Sequence, residues 1–204
     1  MIGIIDYGLG NLQAFLNVYK RLGLDATRVQ EETELDKATH LILPGVGNYD
    51  HALEKLNASG LREKLDHVVL TEKKPILGVC VGMQIMANSS EEGEAEGLGW
   101  IPGEVKHLSS LLGKTALPLP HMGWNQMKPA ASSFMASADS SGQQFYFLHS
   151  FFYEPEDRAL ISGSTIYGEE FSAAVSKENI HGIQCHPEKS HHWGAALLEG
   201  FARL

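Results

Sequence analysis

The segment Ile76-Leu77-Gly78-Val79-Cys80-Val81-Gly82-Met83-Gln84 decides how the chain is read. Residues 75–79 are a short, wholly apolar run that predicts a buried strand, and residues 81–87 read as a helix. A cysteine therefore stands at a strand-to-helix turn, with glycines two positions to either side. That is the nucleophile-elbow pattern with Cys in place of Ser. Such a turn forces its central residue into a strained backbone conformation, and Gly78 and Gly82 leave room for the chain to pack there. The helix N-terminus aims its free amides and positive dipole end at the sulfur, which favours thiolate. The same amides, Val81 first, can serve an oxyanion. The plainer alternative is a core cysteine in a β-α turn, a frequent use of Cys.

Working outward, apolar runs alternate with helical spacing through the first half. Strands are expected at residues 2–5, 25–29 and 39–43, the last ended by Pro44-Gly45-Val46-Gly47. Helices are expected after Asn11, with Gly23 as C-cap, at residues 50–57, and around Leu61, Leu65 and Val68. The alternation predicts an α/β fold of three layers: a mostly parallel central sheet with helices on both faces. The second half is richer in short strands, at 104–108, 144–148, 160–165, 171–176 and 182–185. These are expected as an antiparallel extension of the same sheet or a small second layer. Residues 194–204 read as a closing helix, and residues 129–142, rich in Ala and Ser, as the least structured part. No repeat or long linker is visible, so residues 1–204 are expected to form a single domain.

Composition narrows the function. The 204 residues are 43% hydrophobic and 20% charged, enough for a core without disulfides. A net charge of -9 excludes a global basic footprint for nucleic acid or anionic lipid. The sequence holds no apolar run long enough to cross a bilayer and opens on a short apolar strand, so a cytoplasmic location is expected. The two cysteines, Cys80 and Cys185, form no disulfide framework. Gly8-Leu9-Gly10 lacks the third glycine of a dinucleotide fingerprint, since position 13 is Gln, and reads as a tight β-α turn. His181, His186, His191 and His192 lack the spacing of a zinc site, and no metal or cofactor is expected. The acidic run at residues 91–96 reads as a solvated loop, and Trp100 as core.

A nucleophilic thiol needs a base, and the base needs an orienting group. Gly182-Ile183-Gln184-Cys185-His186-Pro187-Glu188-Lys189-Ser190 supplies both. Pro187 biases His186 towards extended backbone, and in an extended run residues two apart share a face. His186 and Glu188 are then expected side by side, the carboxylate holding the imidazole tautomer.

The two motifs together resemble those of the class I, triad-type glutamine amidotransferases. Further segments carry the resemblance along the whole chain: residues 6–12 (DYGLGNL), 43–47 (LPGVG), 118–125 (PLPHMGWN) and 146–150 (YFLHS). Within that class they are most similar to the glutaminase subunits that supply ammonia for histidine biosynthesis. The resemblance implies that Cys80 attacks the carboxamide of glutamine to form a glutamyl thioester, that His186 moves the protons, and that Glu188 orients His186. It implies an oxyanion hole from Gly45, Val46 and Gly47 with Val81. Gln84, His149 and Ser150 would contact bound glutamine. His121, Met122, Gly123, Trp124 and Lys189 would face a partner, a synthase subunit of the (β/α)8 barrel type that receives the ammonia in a heterodimer. Cys185 stands where the family usually has an aromatic, and a packing role is expected of it. Asn48-Tyr49 and residues 190–194 are less typical and bring to mind related subunits that feed sugar amidation. Another thiol hydrolase, or a non-catalytic binding module, are the readings from other classes.

Overall fold

The computed structural model describes residues 1–112, 117–131, 133–135 and 142–204. In chain order its first half runs β1 (Ile2–Ile5), α1 (Leu12–Arg21), β2 (Ala26–Val29), α2 (Glu32–Lys37), β3 (His40–Gly45), α3 (Tyr49–Ala58), α4 (Arg62–Leu70), β4 (Ile76–Cys80) and α5 (Val81–Gln84). The second half runs β5 (Ser89–Ser90), β6 (Gly103–His107), α6 (Ser109–Leu112), β7 (His121–Gln126), β8 (Lys128–Pro129), β9 (Gln144–His149), β10 (Phe151–Pro155), β11 (Ile161–Tyr167), β12 (Glu169–Lys177), β13 (Ile180–Ile183) and α7 (His191–Phe201).

An eight-stranded sheet organises the molecule, in the order β2-β1-β3-β4-β13-β12-β11-β8. From β2 to β13 every pairing is parallel, and from β13 to β8 every pairing is antiparallel. Both expected arrangements of the second half occur. β12, β11 and β8 extend the main sheet, while β10-β6-β5 and β7-β9 form two small sheets of their own. The all-buried patterns of β1 and β4 are those of strands covered on both faces, and helices flank the sheet. Asn11 caps α1 through Oδ1, which accepts from the Ala14 amide at 3.2 Å. Trp100 is core, and its indole N–H donates to Asp66 at 2.8 Å.

Several bounds differ from expectation for local reasons. The helix expected over 81–87 stops at Gln84, because Met86 and Ala87 donate to carbonyls three residues back and tighten the last turn. β13 stops at Ile183, so that the next residues turn out of the sheet. α7 begins at His191 rather than 194. Helix α2 carries no helical apolar spacing in the sequence: its six residues hold one buried apolar side chain, Leu35, and a Glu31/Glu34 capping box holds its start. Of residues 129–142, 132 and 136–141 lie outside the described residues. Among the described residues, no helix is long and apolar enough to cross a membrane.

Candidate active site

The parallel order of β3, β4 and β13 brings their carboxyl ends together, and open α/β sheets put their sites there. Gly45 at the end of β3 is the register partner of Cys80 at the end of β4. Cys80 has φ 56° and ψ -115°, a conformation L residues avoid and one that costs about 1–3 kcal/mol. Close packing holds it there. A Cβ on Gly82 would overlap the Leu43 carbonyl oxygen and come within 2.9 Å of its carbon. One on Gly45 would fall 2.7 Å from the Val81 carbonyl carbon, and one on Gly78 would meet the Gly82 oxygen at 2.6 Å. The three glycines let the first turn of α5 lie directly on β3, which fixes the turn that carries the thiol.

Beyond β13 the chain is pinned residue by residue. Gln184 donates its amide to Ala173 at 2.8 Å, and His186 donates its amide to Tyr146 of β9 at 2.8 Å. His186 is extended, with φ -101° and ψ 92°, as the following proline requires. The extended run ends there. Pro187–Lys189 forms a 3-10 turn, and it is this turn that folds Glu188 back to place Oε1 2.9 Å from His186 Nδ1. Both side chains are almost fully buried. Burial works against a charged imidazole, but the hydrogen bonds to Cys80 and Glu188 outweigh it and raise His186 from 6.5 to about 10.

Cys80 and His186 open into a cavity of about 320 Å³. Val46, Gly47, Val81, Gln84, His149, Ser150 and Lys189 all line it, whereas Gly45 and Glu188 do not. Three further residues belong to the site that the sequence did not single out. Gln184 donates from Nε2 towards Cys80 Sγ at 3.7 Å, and its Oε1 accepts from Gln84 Nε2 at 3.1 Å. The Phe151 carbonyl accepts from Gln84 Nε2 at 3.2 Å. Glu92 comes from the acidic run expected to be a solvated loop. It lines the cavity and accepts the Tyr49 amide at 2.9 Å, while Asp50 binds the amides of Glu94 and Ala95. Charge alone hid this loop's role, because its carboxylates act as acceptors for backbone N–H groups. Cys185 is wholly buried, and burial pushes its thiol up, away from thiolate.

On the small β7-β9 sheet His121 points inward and is 3% exposed, while Met122 and Trp124 are 65% and 46% exposed. Trp124 stacks on His191 with centroids 5.0 Å apart, and Lys189 Nζ lies 5.8 Å from the Tyr146 ring centroid. His191 and His192 are exposed. Among the described residues, no group of three His, Cys, Asp or Glu side chains is placed to hold a metal ion.

The buried histidines set a pH dependence of stability. His186, raised to about 10, stabilises fully below pH 6.5, and its contribution is lost as pH rises through about 10. Burial lowers His121 and His181 to about 4 and His149 to about 3; their contribution is present above pH 6.5 and lost as pH falls towards those values. Thermal stability is therefore expected to decline on both sides of neutrality, and His186→Gln should lessen the decline between pH 6.5 and about 10 while leaving the acid limb in place. An alkaline limb that is flat in the parent protein would remove the ion-paired state of His186.

The chain belongs to the class-I glutamine amidotransferase family, whose model matches residues 3–203. It is 50% identical to imidazole glycerol phosphate synthase subunit HisH of Bdellovibrio bacteriovorus, over 204 residues and 100% of both chains. It is 47% identical to the protein of that name from Leptospira borgpetersenii, again over 100% of both. A crystal structure of a glutamine amidotransferase shares the fold with a TM-score of 0.74, covering 99% of this chain and 97% of its own at 16% identity.

Proposed function

We propose that the chain is the glutaminase subunit of an imidazole glycerol phosphate synthase, a single cytoplasmic amidotransferase domain that hydrolyses glutamine to glutamate and hands the ammonia to a partner. The observation that carries this reading is the hydrogen-bonded pair His186–Glu188 beside Cys80 at the head of a 320 Å³ cavity. Cys80 Sγ attacks the carboxamide carbon of glutamine, and the resulting oxyanion is met by backbone amides of Gly45–Gly47 and Val81. His186 takes the thiol proton and gives it to the departing ammonia, leaving a glutamyl thioester. Water, deprotonated by His186, then releases glutamate and restores the thiol. Glu188 holds the imidazole with its proton on Nδ1 throughout. Gln84, His149 and Ser150 hold the glutamine.

Ammonia must reach its acceptor before it mixes with water, so the subunit needs a docked synthase. We assign that face to Met122, Gly123 and Trp124, with His121 behind them and Lys189 at the rim, and the partner to a (β/α)8 barrel in a heterodimer. The exposed Met122 and Trp124 support this placement, and Met122 is the register partner of Leu148, which lines the cavity. The segments at Asn48-Tyr49 and residues 190–194 have local structural roles. Asn48 caps α3 by accepting the His51 amide at 3.3 Å, and His191 stacks on Trp124. The relatives at 50% and 47% identity favour the histidine pathway. The test is glutamate release by the purified chain, alone and with the barrel subunit and its ligand. Release is expected to be slow alone and accelerated in the complex, since one misplaced oxyanion donor costs about 100- to 1000-fold in kcat. No glutamate from the complex overturns the reading.

A further inference from the structure

The Phe151 carbonyl oxygen, on the cavity wall, accepts two hydrogen bonds: from Gln84 Nε2 at 3.2 Å and from His149 Nδ1 at 2.7 Å. A carbonyl can only accept, so His149 carries a proton on Nδ1. In the neutral ring Nε2 is then an acceptor, and it stands 2.9 Å from His121 Nδ1, which must donate. That leaves His121 Nε2 as an acceptor for Asn125 Nδ2 at 3.2 Å. The Asn125 amide is itself oriented, with Nδ2 donating to the Ile166 carbonyl at 2.8 Å and Oδ1 accepting the Gln126 amide at 2.8 Å. From Ile166 to Phe151 each donor meets an acceptor in one arrangement only: both rings neutral, both protonated on Nδ1. Burial keeps them neutral, lowering His121 to about 4 and His149 to about 3. Ring packing keeps them still, since His121 stacks on Phe147 at 4.9 Å and on Tyr167 at 4.2 Å. Gln84 Nε2 also donates to Gln184 Oε1, so both its protons are engaged and Oε1 is the polar atom it offers to the cavity.

We propose that His121 is a positioning residue of the substrate cavity: through His149 it fixes the Phe151 carbonyl, and thereby the direction in which Gln84 presents its carboxamide oxygen. The inference deepens the glutaminase reading and rests on it for the substrate, though its hydrogen-bond logic does not. Two measurements test it. Long-range ¹H–¹⁵N spectra of the full chain, ¹⁵N-labelled at histidine, read the tautomers directly, and both His121 and His149 are expected in the Nδ1–H form. An Nε2–H form at either ring overturns the proposal, whether or not the chain proves to be a glutaminase. In the complex, His121→Phe is expected to raise KM for glutamine about tenfold, with the smaller effect on kcat, because one neutral hydrogen bond in the chain is lost. His121→Asn keeps a donor towards His149 and should recover most of the loss. An unchanged KM in His121→Phe, or equal losses in the two variants, overturns the positioning role.

Discussion

Cys80→Ala is expected to abolish glutamine-dependent turnover of the complex while leaving turnover from added ammonia unchanged. The nucleophile makes ammonia available and takes no part in its use. Removing the nucleophile of a triad leaves only binding and oxyanion contacts, so a loss on the order of 10⁴-fold or more is expected in glutaminase kcat. A parallel loss of the ammonia-driven reaction would mean that Cys80 supports the structure of the complex rather than the chemistry. The backbone adds a second readout. At φ 56° the turn strains any L residue equally, so Cys80→Ala relieves nothing, whereas Cys80→Gly does. The two variants should be equally inactive. Yet Cys80→Gly should be the more stable by about 1 kcal/mol, the relieved strain less the added freedom of an unfolded glycine. That corresponds to roughly 2–4 °C in Tm for a chain of this size. Equal melting temperatures would show that the turn is not strained.

Gly82→Ala is the second large effect. The added methyl would overlap the Leu43 carbonyl oxygen and lie 2.9 Å and 3.1 Å from the carbonyl carbons of Leu43 and Pro44. All three are backbone atoms of one β3 segment, so no side-chain rotation makes room. α5 must lift off β3, and with it go the Val81 amide and the Cys80 turn. Overpacking against immobile backbone is expected to cost about 3–5 kcal/mol, at the upper end of single substitutions. Glutaminase activity should fall with it, even at temperatures where the variant stays folded. Gly163→Ala in β11 is the control. Its Cβ would meet the Ala174 methyl at 3.3 Å in a conformation open to any residue, and a change within about 1 kcal/mol is expected. Urea unfolding of both variants decides the matter, and similar stabilities would refute the close approach of α5 to β3.

The parallel half of the fold was legible because its signals are local. β1 and β4 are continuous apolar runs, as is β3 from Leu41 onward, and the glycines around Cys80 mark a close approach through their spacing alone. β7 was not legible as a strand, for a physical reason. His-Met-Gly-Trp-Asn-Gln places its polar His inward and its apolar Met and Trp outward, the reverse of the usual alternation. A buried histidine is tolerated there only because His149 and Asn125, brought by β9 and the far end of β7, satisfy both its ring nitrogens.

By itself, then, the sequence determined the strand-turn-helix at Cys80, the extended backbone of His186 before Pro187, and the family to which the chain belongs. The first two follow from neighbours in the chain, and the third from short motifs, each local, spread along its whole length. Only the tertiary structure decided that Glu188 reaches His186 through a 3-10 turn, that Gln184, Glu92 and Phe151 join the site, and that His121 turns inward. The turn at Pro187 is local, but spacing does not choose between it and a continued extended run. The other features depend on hydrogen-bond partners tens of residues away, whose identity is set by strand order and burial, which local spacing does not encode.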